Sequence, residues 1–434
     1  MQKLQQSINW LIYLFIFLLP LQTRLIYKQA TLNGFNFEYG SLSLYATELL
    51  LGLILLLSIF YLVWRIKKKE IKKEKRNLRR VVLLVLLVLL VLLSCFLALN
   101  KEIAFYKFGH LILASALVFV IMFFKPNWEK VSWAFVWGGL IQASLAINQF
   151  VVQHIVGNKW LGMAEQDPQT LGVPVVQIGE LRWLRTFGTL PHPNILAGFL
   201  VVSLILIIGL YSLTKIKKHL KILPVFFVIN FLALMTTLSR AGILVFIICI
   251  IIFAFTTRKN KAESKVTTKF ALITIIIFIL FIVSFPELLQ SRIMSDNRLE
   301  NLSNATRIEQ YQQFGSIIKP NWKTGTGLGN YVMHIVEKDP TLEGWQYQPI
   351  HNTYLLTWAE LGLIGLGFSL LFIIYCLYNL FKAHTWSIEK RTSFICLICL
   401  AGLALFDHYL WSFWVGLMLT AIIIGLNFAK YENN

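Results

Sequence analysis

Nineteen consecutive residues, VVLLVLLVLLVLLSCFLAL at 81–99, contain no charge and almost nothing polar. A helix of about 20 apolar residues crosses the hydrocarbon core of a bilayer, and a backbone in lipid must satisfy its own hydrogen bonds. Such a run therefore constrains the chain more than any motif in it. Eleven further runs qualify: 8–27, 45–64, 104–124, 131–156, 193–214, 222–238, 241–257, 270–285, 353–381, 392–410 and 412–429. The expectation is an all-α polytopic membrane protein of about twelve transmembrane helices, with a large extracytoplasmic loop holding short helices. Charged residues make up 14% of the chain, against roughly 25% in soluble domains. That excludes an ordinary soluble enzyme. The five cysteines lie inside apolar runs, which excludes a disulfide-stapled secreted domain.

The net charge of +19 reads as loop charge around spans. With the N-terminus inside, 26 of the 40 Lys and Arg fall in inner segments, ten of them in RIKKKEIKKEKRNLRR at 65–80. This follows the positive-inside rule and puts both termini in the cytoplasm. The basic run is a topology determinant and a contact for anionic lipid, and nothing else on the chain supports nucleic-acid binding. The first span reads as a retained anchor, because no convincing cleavage site follows it. No internal repeat points to an inverted-repeat transporter. Two units are expected: 1–180, with the N-terminal spans and first long outer loop, and 181–430, with the remaining spans and the outer loop 286–352.

Long loops in a compact protein are functional or disordered. The outer loops 157–192 and 286–352 contain Trp160, Trp183, Trp322 and Trp345 with charge of both signs, which is not a disordered composition. Polar residues gather where spans meet that face. ELRWLRTFGTLPHPNILAGFL at 180–200 places Arg185, His192 and Asn194 at the mouth of the sixth expected span. TTLSRAG places Arg240 at the break between the seventh and eighth. NATRIEQYQQFG at 304–315 reads as an outer helix with Arg307, capped by Asn304. PIHNTYLLTWAELGLIG at 349–365 holds His351, Asn352, Tyr354 and Glu360, and FDHYLW at 406–411 holds Asp407 and His408.

Three arginines and a histidine on one face suit an anionic lipid headgroup beside an acceptor. Guanidinium matches phosphate oxygens bidentately. Fixed positive charge stabilises a diphosphate as its glycosidic bond breaks. Histidine takes or orients an acceptor proton near neutral pH. Each residue also has a plain structural reading: Arg185 snorkelling to headgroups, Arg240 marking topology, Arg307 on a solvated helix face, His351 beginning a helix without titrating. Gly325, Gly327 and Gly329 in GTGLG read as a turn that permits close backbone approach. CLIC at 396–399 reads as packing. Glu337, Asp339 and Glu343 read as a solvated acidic loop, and the outer loops hold no D-x-D pair, so no required metal and no cofactor are expected.

RTFGTLPHPNILAGFL, TTLSRAGIL, TRIEQYQQFGSIIKPNWKTGTGLGNY and HNTYLLTWAELGLIGL, with FDHYLW near the end, resemble the ordered motifs of the bacterial O-antigen ligase and polymerase family. The resemblance covers about 180–415. It implies a metal-independent, inverting glycosyltransferase of the plasma membrane, acting at the outer face. The implied partners are a polyprenyl-diphosphate-linked glycan donor, a glycan, lipid or protein acceptor, and the bilayer. Motif by motif, it assigns Arg185, Arg240 and Arg307 to the diphosphate and His351 to the acceptor. His192, Asn194, Asn352, Tyr354, Glu360, Asp407 and His408 are expected to contact substrate. The chain departs from the family at Gly188–Asn194, where two prolines flank His192. The rival reading is a transporter or flippase of an anionic lipid-linked glycan.

Overall fold

The computed structural model describes residues 1–68, 78–294 and 298–429. Helix α1 (Gln2–Leu18) ends earlier than the expected 8–27, as Pro20 brings no amide donor. Instead of continuing the span, the chain forms two nested antiparallel hairpins. Strand β1 (Arg24–Lys28) pairs with β4 (Leu42–Tyr45), and β2 (Thr31–Leu32) pairs with β3 (Phe35–Asn36). Asn33 and Gly34, both at positive φ, make the tight turn between β2 and β3. The helices α2 (Ala46–Lys67), α3 (Leu78–Leu97), α4 (Lys101–Phe124) and α5 (Trp128–Val152) follow. A third hairpin, β5 (Val175–Ile178) with β6 (Leu181–Leu184), leads to Arg185. The chain is mostly helical, as expected, and carries three small hairpins besides. Most of the basic run at 65–80 lies outside the described residues.

Helices α6 (Pro193–Leu213), α7 (Lys217–Thr236), α8 (Arg240–Thr257) and α9 (Lys261–Ser284) complete the middle of the bundle. Helix α6 is apolar on every side and almost wholly buried. It packs against α5, α7, α8 and α9, the position a helix without a polar face must take. The outer segment contains α10 (Pro286–Met294), α11 (Arg298–Asn321) and α12 (Tyr331–Lys338). Because α11 begins at Arg298, Asn304 lies inside it and does not cap it.

The expected span 353–381 is broken. It forms α13 (Thr353–Leu361) and α14 (Leu363–Leu380), separated by Gly362 at φ 60° and ψ −141°. The glycine loop causes the break. Thr326 and Gly327 amides donate to the Ala359 and Glu360 carbonyls at 2.8 and 3.1 Å, acceptors a continuous helix would have used. A Cβ on Gly325 would sit 2.3 Å from the Glu360 oxygen, and one on Gly362 would sit 2.1 Å from that of Lys323. The GTGLG motif therefore serves close approach of two backbones.

The chain ends in α15 (Ile388–Leu403), a turn, the single-turn α16 (Tyr409–Ser412) and α17 (Trp414–Phe428). Among the described residues eight helices, α2, α4 to α9 and α14, are long and apolar enough to cross a membrane. Of the other expected spans, α1, α15 and α17 have 17, 16 and 15 residues, and α3 contributes the apolar stretch Val88–Leu97. The main core fills the bundle. A second core joins Phe37 of the N-terminal hairpins to Phe314, Ile317, Tyr331 and Tyr347 of the outer segment and Leu356 of α13. That core docks the outer segment over the start of α13.

Candidate functional site

The site begins with a capped helix. Pro193 occupies the first turn of α6, where a missing amide costs nothing. His192 is the N-cap, its Nδ1 accepting the Asn194 amide at 3.2 Å. The two prolines thus define the turn that departs from the family pattern. The approach to it is held from α5. Gln149 Oε1 accepts the Phe187 and Gly188 amides at 3.0 and 2.9 Å, and Gln142 Oε1 accepts that of Thr189 at 2.7 Å. These glutamines lie seven residues apart in an apolar helix, so both face one side. That spacing is legible in the sequence, and the motif reading missed it.

Asn194 joins three elements. Its Oδ1 accepts Arg185 Nη2 at 2.8 Å and Ser239 Oγ at 3.1 Å, while its Nδ2 donates to Asp407 Oδ2 at 2.8 Å. Arg185 is buried, and its Nε donates to the Thr237 carbonyl at 2.9 Å. Asp407 Oδ1 accepts the His408 amide at 2.8 Å. Arg185 therefore does not snorkel to headgroups. It forms one buried knot with Asn194 and Asp407, tying the loop before α6 to the turn after α15. Ser239 caps α8, so Arg240 stands beside the knot as the first residue of α8, with an exposed side chain.

The start of α13 is tied to the same turn. The Thr353 amide donates to the Ala404 carbonyl and its Oγ1 to that of Asp407, both at 2.8 Å. This brings His351 to His408, with ring centroids 5.2 Å apart. From the outer segment, Gln310 lies three residues beyond Arg307 on α11, so the two share a helix face. His351 Nδ1 lies 2.8 Å from Gln310 Oε1. An amide oxygen accepts, so this contact suits the tautomer with the proton on Nδ1, which leaves the lone pair on Nε2. Arg307 is half-buried, and its charge acts on the His351 ring.

Burial lowers the His351 pKa, with Arg307 acting in the same direction against Asp407. Burial also holds His192 and His408 well below the usual histidine value. Burial alone would raise the Asp407 carboxyl, but the surrounding imidazoles and the Asn194 amide outweigh it and hold the pKa below the ordinary carboxylate range. At neutral pH the site is a buried carboxylate among neutral imidazoles, with arginines at its edges. Such an arrangement has the chemistry to bind an anion through guanidinium and to take a proton at a neutral imidazole.

Not every expected residue reaches this cluster. Asn352 caps α13 through the Leu355 amide and donates to the Leu405 carbonyl, at 3.0 and 3.1 Å. Its side chain is spent on holding that junction. Tyr354 points into the bundle, donating to the Ala401 carbonyl at 2.8 Å. Glu360 is buried one layer below and accepts Trp411 Nε1 at 2.8 Å. Conversely, Tyr39 of the N-terminal hairpins places its hydroxyl 3.4 Å from His408 Nε2, and nothing in its local sequence signals that. His408 Nδ1 meets Ser412 Oγ at 2.6 Å, and Lys107 donates to the Ser412 carbonyl at 2.6 Å. Among the described residues, Glu337, Asp339 and Glu343 meet local partners, His334, Thr341 and Trp345. Cys396 and Cys399 are buried.

Residues 225–370 match the model of the O-antigen ligase family. No curated protein matches the chain. The matched segment includes Arg240, Arg307 and His351 and ends within α14. Arg185, Asn194 and Asp407 lie outside it and complete the site from both flanks. Over residues 225–370 the chain is similar to the O-antigen ligase family, and the described residues include eight helices long and apolar enough to cross a membrane.

Proposed function

We propose that this protein transfers or polymerises glycan from a polyprenyl-diphosphate carrier onto a hydroxyl acceptor at the extracytoplasmic face of the bacterial plasma membrane. The observation that supports this reading best is the 2.8 Å contact of His351 Nδ1 with Gln310 Oε1. It suits the tautomer that leaves Nε2 to act as base, with Arg240 and Arg307 contributed by two other elements.

In the proposed step the acceptor oxygen attacks the anomeric carbon as its proton passes to His351 Nε2. The bond from that carbon to the diphosphate oxygen breaks, and its electron pair leaves with the diphosphate. Arg240 and Arg307 take up the growing charge, a form of stabilisation that needs no divalent metal. Arg185 acts through Asn194, which it orients. Attack opposite the leaving group inverts the anomeric centre. Asp407, His408 and His192 shape the pocket around the acceptor.

The twelve-crossing topology, with both termini cytoplasmic, belongs to this reading. An apolar cavity of about 370 Å³ between α3, α4, α13, α14 and α17 reaches Thr353 and Trp411 at its upper rim. It offers part of the isoprenoid tail a place directly below the site.

The test uses proteoliposomes with chelator present, polyprenyl-diphosphate glycan and candidate acceptors. Release of polyprenyl diphosphate that is lost in Arg240→Ala and His351→Ala supports the transferase. Movement of labelled donor across the bilayer without release would replace it with the transporter or flippase.

A further inference from the structure

A second cavity, of about 130 Å³, lies between the N-terminal hairpins and the first ordered motif at Phe187 to Pro191, and the proposed transfer step does not use it. It is close in size to an engineered cavity of about 150 Å³ that takes one benzene ring. One wall is the N-terminal hairpin pair, where Arg24 forks onto both Glu38 oxygens at 2.5 and 3.0 Å and lies 3.5 Å from the Tyr45 hydroxyl. Phe187 and Phe413 give it apolar surface, and Gln166 gives it an amide.

The cavity adjoins the site. Phe413 stacks on the His408 ring at 6.1 Å and 22°, and Pro191, also on the wall, precedes His192. Glu38 lines the cavity while Tyr39, the next residue, meets His408. The walls are fixed across the chain, since Thr23 Oγ1 donates to the Trp160 carbonyl at 2.6 Å.

We infer that this cavity is a subsite for one neutral pyranose ring of the acceptor. Arg24 is matched by Glu38, so the wall has no net charge and does not suit a diphosphate. A forked arginine–carboxylate pair presents donors and acceptors side by side, the pattern that reads adjacent sugar hydroxyls. Aromatic faces and a ring-sized volume fit the apolar faces of the same ring. Phe413 on the cavity wall stacks on His408, whose ring centroid lies 5.2 Å from that of His351, so a sugar held here adjoins the proposed base. The inference rests on the transferase reading for its role, but not for its binding.

The cysteines of the chain are buried, so Ala164→Cys, on the cavity wall, provides a unique accessible thiol in the detergent-purified full chain. Maleimide labelling is followed with methyl β-glucoside, methyl β-galactoside and methyl N-acetyl-β-glucosaminide as probes. At least one should slow labelling. Adding Arg24→Gln should weaken that protection about tenfold, the order expected for one charge-assisted hydrogen bond. Ala164→Phe, which fills the cavity and leaves the ion pair alone, should raise the acceptor KM with kcat unchanged. Protection by polyprenyl-diphosphate glycan and by none of the glycosides would assign the cavity to the donor and overturn the proposal. Absence of protection by any probe would also overturn it, while transfer dependent on His351 would still stand. Protection in a chain that transfers nothing would keep the sugar site and retire the transferase.

Discussion

Arg185 and Arg240 stand on either side of Asn194, yet they are built differently. Arg185 is buried, and both of its described bonds run to the protein's own Asn194 and Thr237. Arg240 begins α8 with an exposed side chain. The two guanidiniums thus differ in burial: one lies inside the knot and the other at the surface beside it. The resemblance gave both residues the same duty, and burial separates them. The same division separates Asp407, locked to Asn194, from His351, whose Nε2 keeps a lone pair.

The largest break in this contrast is Asn194→Ala. It removes the acceptor of Arg185 and Ser239 and the donor to Asp407 together. Loss of a partner from such a buried network costs about 3 kcal/mol or more. Thermal unfolding in detergent should show a large fall in Tm, and activity should be lost with it. Arg240→Ala should do the opposite, lowering transfer by about a hundredfold or more, as for a lost electrostatic stabiliser, with Tm unchanged. A comparable fall in Tm would make Arg240 a structural residue like Arg185.

A pH profile sharpens the contrast further. Burial disfavours imidazolium at His351, so the base is neutral at pH 7. The acid limb of activity should lie below about pH 6.5, the ordinary histidine value. The unfolded chain takes up the proton first, so stability too should fall as pH drops through that window. Arg307→Gln removes a charge that helps keep His351 neutral, and should move the limb toward higher pH. An unmoved limb would detach Arg307 from the site. The smallest effect belongs to Tyr354→Phe, which loses one hydrogen bond worth about 1 kcal/mol and should leave transfer intact. A loss of activity there would return Tyr354 to the substrate.

Much of this protein was legible along the chain. Apolar runs located the helices, because a backbone in lipid has few other options. The motifs around Arg185, Arg240, Arg307, His351 and Asp407 were all visible, and the structure draws them to one end of the bundle. Asn352, Tyr354 and Glu360 look equally functional in sequence, since a polar residue near a span end reads the same whether it meets substrate, caps a helix or binds a carbonyl.

The sequence by itself determined the mostly helical, membrane-spanning class and the order of the motifs, while the family model matches 225–370, a narrower stretch than the 180–415 of the resemblance. Only the tertiary structure decided that Asn194 bridges Arg185 to Asp407, that Gln310 pairs with His351, and that Tyr39 reaches His408. It also decided that a glycine loop divides the expected 353–381 span at Gly362. Local periodicity specifies which residues share a helix face. Partners far apart in sequence are chosen by how buried polar groups satisfy one another when the helices pack, and no single stretch of chain encodes that.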